Sequence, residues 1–176
     1  MILYRHCDRR FPFLWESSHQ PPARWHGERE GPVQYLTDTP NGAWAEFLRH
    51  EGIREEADLD GVQRALWCVD VPVPELDIRK PSLGTRALRG GLSSYDACRT
   101  EARRLRSDSA EAIEAPSAAL TRGGAGGWVV DGGEREAPSR DGKTYVLFGR
   151  QPDCIGWPTV ETGTAPARVL RRVRHL

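Results

Sequence analysis

The stretch "VQYLTDTPNGAWAEFLRHEG", residues 33–52, constrains the fold more than any other, because it encodes a strand, a helix start and a helix stop. Val33 and Tyr35 alternate toward a turn, as in a half-buried strand. Thr39 then suits an N-cap, Pro40 the first helical position, and Gly52 the helix stop. On a helical wheel Ala43, Trp44, Phe47 and Leu48 share one face. Glu46 falls at the edge of that face beside Ala43, with His50 one turn later. From there it can look into a cleft, or make an ordinary helical pair with Arg49 or His50.

The rest of the chain repeats the mixture. "MILYRH", "RALWCVDVPV", "GGWVVDGG" and "TYVLFG" read as strands. "SSYDACRTEARRLR" reads as a helix capped at Ser93 or Ser94, with Ala97, Cys98, Ala102 and Leu105 inward. "EAIEAPSAAL" leads into a strand or tight crossing around Ser117. Strands and helices interspersed in this way predict a mixed α/β domain. A length of 176 residues fits one domain over 1–176, with a Gly-rich loop around 121–142.

Twenty-five basic and 25 acidic side chains cancel. That argues against a nucleic-acid binder, which needs a basic excess to neutralise phosphates. The basic tail "ARVLRRVRHL" reads as a solvated edge. Cys7, Cys68, Cys98 and Cys154 have neither a CxxC pair nor Cys/His ligand spacing, so no metal site is expected. No apolar run suits a membrane span, and "MILYRHCDRR" lacks the layout of a secretion signal. The expectation is a cytoplasmic protein. "APSRDGKT", residues 137–144, fails as a phosphate loop: Ala137 replaces the first glycine, and a strand follows rather than a helix.

Arg5, Arg24, Tyr35, Glu46 and Ser117, taken as residue types, suit cleavage of a glycosidic bond beside a diphosphate. Arginines grip phosphate through charged forks. A tyrosine stacks on a flat heteroaromatic ring, a glutamate stabilises an oxocarbenium-like transition state, and a serine can hold a ribose or amide.

At these residues the chain resembles the RES domain family. "LYRH" with Arg5 matches its opening strand, and "ARWHG" with Arg24 and Trp25 its GGRWN-type segment. "VQYLTDTPNGAWAEFLRH" with Tyr35 and Glu46 matches its next strand and helix, and "APSAAL" with Ser117 its "PSA" element. The resemblance implies a fold similar to ADP-ribosyltransferases, with a small bent or split sheet. It implies an enzyme consuming NAD as substrate, with no bound cofactor, by hydrolysis, by phosphorolysis with inorganic phosphate, or by transfer of ADP-ribose to a protein. A catalytically silent RES-like binding module is the reading from another class. The resemblance also implies the toxin of a bacterial pair whose Xre-type antitoxin occludes the site. By the same match Glu46, Arg5 and Ser117 would be catalytic, while Arg24, Tyr35 and His26 would bind NAD. His26 stands where the family has an asparagine donor.

Overall fold

The computed structural model describes residues 1–72 and 75–176. The strands are β1 (Ile2–Cys7), β2 (Val33–Thr37), β3 (Arg64–Asp70), β4 (Ile78–Arg79), β5 (Ala112–Pro116), β6 (Trp128–Val130), β7 (Glu134–Glu136), β8 (Lys143–Phe148) and β9 (Ile155–Gly163). The helices are α1 (Pro40–Glu51), α2 (Thr85–Arg89) and α3 (Tyr95–Ser107). Seven strands form one sheet in the order β4-β5-β8-β2-β1-β3-β9, antiparallel except for β4 against β5, and β6 and β7 form a separate ribbon. The expected mixed α/β domain is therefore present, with a main sheet larger than anticipated. Among the described residues no helix is long and apolar enough to cross a membrane.

The main sheet is split near its middle. β1 pairs with β3 at every residue from Ile2 to Cys7, but with β2 only at Tyr4 and Thr37. Beyond that rung the two strands diverge, and the irregular segment 8–32 fills the gap between their ends. Side-chain amides stand in for the missing ladder. Gln20 donates to the Val33 carbonyl and accepts from the Val33 amide, both at 2.8 Å. Gln34 accepts from the Trp15 amide at 2.8 Å and donates to the Trp15 carbonyl.

Helix α1 closes one side of the split. Thr39 caps it, its Oγ1 accepting from the Gly42 amide at 3.1 Å, and Gly52 ends it with φ of 68°. Gly42 permits the approach to β2: a Cβ there would lie 2.9 Å from that of Thr37. Ala43, Trp44, Phe47 and Leu48 are buried together in one apolar cluster, and Trp25 packs in a second.

Four local readings change. In α3 Cys98, Ala102 and Leu105 point inward as expected, but Ala97 is exposed and Tyr95 and Glu101 take inner positions. Ser94 precedes α3 without capping it; its hydroxyl donates to the Gly91 carbonyl at 2.7 Å. The Gly-rich stretch holds two strands rather than one. The strand expected over residues 64–73 ends at Asp70, and Val73 lies outside the described residues. Strand β9 escaped sequence reading because Gly156 and Pro158 interrupt its pattern.

Candidate active site

A cavity of about 380 Å³ occupies the split. Arg5 and His6 reach it from β1, Tyr35 and Thr37 from β2, Glu46 and His50 from α1, Arg64 from β3 and Thr144 from β8. Phe11 and Trp15, both partly exposed, line it from segment 8–32. Behind Glu46 lies a second recess of about 30 Å³, which shares Tyr35, Glu46, His50 and Thr144 with the first. Arg24, Arg49 and Tyr95 complete its polar wall.

Glu46 is half-buried and accepts from the Thr144 hydroxyl at 3.5 Å. Burial pushes its carboxyl above the ordinary value, with His50, Arg49 and Arg24 pulling the other way. Arg5 donates to Gln34 Oε1 at 2.6 Å. Burial lowers its guanidinium to about 10, which leaves it charged at neutral pH. His6 accepts at Nδ1 from Arg64 Nη2 at 3.3 Å. Burial, then Arg64, Arg5 and His50, press its pKa down to about 3, so its ring is neutral.

Tyr35 lines both cavities, and its hydroxyl is fixed from behind. It accepts from the Trp25 amide at 3.0 Å and contacts His26 Nδ1 at 2.9 Å. His26 Nε2 lies 3.0 Å from the Pro21 carbonyl, which can only accept, so Nε2 carries the proton and Nδ1 accepts from Tyr35. Burial holds the His26 pKa below its ordinary value.

Three of the expected site residues are held by contacts within the protein. His26 is fully buried with both nitrogens engaged inside the protein, one of them on the Tyr35 hydroxyl. Ser117 is 1 % exposed and its hydroxyl accepts from the Leu120 amide at 3.2 Å; its neighbours Pro116 and Ala118 face the recess in its place. Arg24 lines the recess and is engaged by protein acceptors. It donates to the carbonyls of Ala87 and Gly90 at 3.2 and 2.6 Å and to the Ser94 hydroxyl at 3.0 Å, and stacks on Tyr95 at 4.7 Å. Its donors serve the loop between α2 and α3.

Sequence reading passed over Arg64, His6, Gln34, Arg49 and Thr144. Arg49 is 3 % exposed and donates to the carbonyls of Ala118, Arg174 and Gly90 at 2.5, 2.6 and 2.9 Å. A charged residue on the inward side of an apolar helix face was the available signal for it.

The RES domain family model matches residues 2–168, nearly the whole chain. The chain belongs to the RES domain family. No curated protein matches it. RES domains are associated with NAD-related enzymatic activity and linked to toxin–antitoxin systems. In this RES domain four of the residues that carry the family's motifs, Arg5, Arg24, Tyr35 and Glu46, line the two joined cavities, while Ser117 lies one residue behind the wall.

Proposed function

We propose that this RES domain cleaves the nicotinamide–ribose bond of NAD with water as acceptor, as the toxin of a pair neutralised by an Xre-type antitoxin. The observation that carries the reading is the position of Glu46, on the wall common to the cavity of about 380 Å³ and the recess of about 30 Å³. The larger space suits part of a dinucleotide. The smaller has room for at least one water molecule as the acceptor.

The chemistry then follows from the residues. As the C–N bond breaks, its electron pair moves to the pyridinium nitrogen and nicotinamide leaves neutral. The ribose carbon becomes oxocarbenium-like, and a carboxylate beside it stabilises that charge. Water adds to the carbon and gives up a proton, for which Glu46, made more basic by burial, is the acceptor at hand. Tyr35 offers its ring as the stacking surface, and Arg5 a charged donor for the diphosphate.

The test is to incubate the protein with NAD, with and without inorganic phosphate, and quantify products. Equal amounts of nicotinamide and ADP-ribose, at a rate indifferent to phosphate, are expected. A phosphorylated ADP-ribose product, or ADP-ribose attached to protein, would replace water as the acceptor. Absence of nicotinamide release from folded protein would leave the binding-module reading. For the toxin role, expression alone should stop growth and deplete NAD, with rescue by an Xre-type protein.

A further inference from the structure

We propose that Arg64 is a second anion-binding residue, which together with Arg5 holds the diphosphate of the ligand toward the open end of the split. The proposal takes the identity of the ligand from the NAD reading, but the anion site itself stands on geometry alone. Arg64 lines the same cavity as Arg5, and its Nε is a buried donor without a hydrogen-bond partner. A buried donor of a charged group left unpaired is costly, which marks a position that an incoming acceptor completes.

The surroundings give this charge no ion pair among the described residues. Among the described residues neither Arg5 nor Arg64 has a carboxylate within salt-bridge distance, while Asp8, also on the cavity wall, is taken by Arg10 at 2.8 Å. Arg64 is held in place without an acid: its guanidinium lies over the Phe47 ring at 5.2 Å and its Nη2 donates to neutral His6. Two positioned guanidiniums in one cavity match the forked, charged hydrogen bonding that phosphate oxygens accept.

Register sets the order of groups along the cleft. Tyr4 marks the closed end, where it pairs with Thr37, itself paired with Thr144 beside Glu46. Cys7 pairs with Ala65, so Arg64 lies just past the far end of β1, about 13 Å along the strand from the Tyr4 rung at roughly 3.3 Å per residue. Arg5 lies between. The carboxylate is thus deep and the two arginines lie outward, the order of a ribose carbon and the diphosphate attached to its sugar. Phe11 and Trp15 offer aromatic faces on the same wall.

The experiment titrates the full chain and Arg64→Met with inorganic pyrophosphate and with ADP-ribose by calorimetry, alongside NAD turnover. Methionine keeps an apolar stem over Phe47, and Arg64→Lys serves as a second variant that keeps the charge without the fork. Loss of a charged hydrogen bond predicts binding of both probes weakened about tenfold or more in Arg64→Met, with a partial loss in Arg64→Lys. The KM for NAD should rise in step while kcat holds, since the contact is the same in ground and transition states. Pyrophosphate and ADP-ribose bound equally by wild type and both folded variants would overturn the proposal, as would failure of wild type to bind either probe. Binding that depends on Arg64 without nicotinamide release would overturn the NAD-cleaving reading and leave the anion site standing.

Discussion

Arg24 and Arg49 donate to the same atom: the Gly90 carbonyl oxygen accepts from one at 2.6 Å and from the other at 2.9 Å. Arg24 comes from the segment before β2, Arg49 from α1, and Gly90 from the end of α2. Three distant parts of the chain therefore meet at one oxygen, and the two arginines it holds line the recess behind Glu46. Two like charges converge there, held by carbonyl oxygens together with the Ser94 hydroxyl and the Tyr95 ring.

The pair should behave as a structural clamp. Arg49→Met takes this donor from the Ala118 and Arg174 carbonyls, while Gly90 keeps Arg24, and should cost about 3 kcal/mol, on the scale of one or two charged hydrogen bonds. Arg24→Lys should also destabilise, because an ammonium cannot serve the Ala87, Gly90 and Ser94 oxygens together. A double-mutant cycle by urea unfolding should show coupling of about 0.5–3 kcal/mol through the shared oxygen. Unchanged stability of Arg24→Lys with weakened NAD binding would restore Arg24 to the phosphate-gripping role.

Glu46→Gln should trade activity for stability. Loss of the carboxylate should slow nicotinamide release about 10²–10³-fold with NAD binding retained. The folded-state pKa of Glu46 lies above its unfolded value, so the stability it contributes is full below about pH 4.3 and declines as pH rises through the raised value. The variant should therefore unfold at higher urea than wild type at pH 7, and the difference should vanish near pH 4. An exposed carboxylate would give no difference at either pH.

Tyr35 separates two functions in one side chain. Tyr35→Phe keeps the ring but leaves the Trp25 amide and His26 Nδ1 unpaired, so it should lose about 1–3 kcal/mol of stability with the KM for NAD little changed. Tyr35→Ala should raise that KM as well. In wild type, nitrogen NMR should show His26 as the Nε2–H tautomer, titrating below the ordinary value of about 6.5. An Nδ1–H tautomer would reverse the assigned direction of the Tyr35 bond.

Gln34 should couple the loop to the site. It binds both Arg5 and the Trp15 backbone, so Gln34→Leu should free segment 8–32 and leave Arg5 without its anchor. Faster amide exchange at Trp15 and a higher KM for NAD are expected together. Exchange rates equal to wild type would show that the segment is held by other contacts.

The elements with strong local punctuation were legible in the sequence. Thr39, Pro40 and Gly52 bound α1 as read, and the ordered motifs at Arg5, Arg24, Tyr35 and Glu46 led to the family and to residues that line the cavities. Direction was not legible. Ser117 and His26 have suitable chemistry, but backbone geometry turns Ser117 onto the Leu120 amide and buries His26 behind Tyr35. Arg64 was invisible for the opposite reason. It opens an apolar strand, and only the pairing of β1 with β3 brings it beside His6.

A sheet that parts in the middle has four edges instead of two. Strand edges are templates for adding a strand from another molecule, so the opening that admits a ligand is also a hazard for aggregation. Segment 8–32 answers both demands. The Gln20 amide occupies the free backbone groups of Val33, while Pro12, Pro21, Pro22 and Pro32 are placed in a chain that cannot itself extend the ladder there. Shortening this segment to widen the entrance should yield protein that precipitates before it gains substrate range.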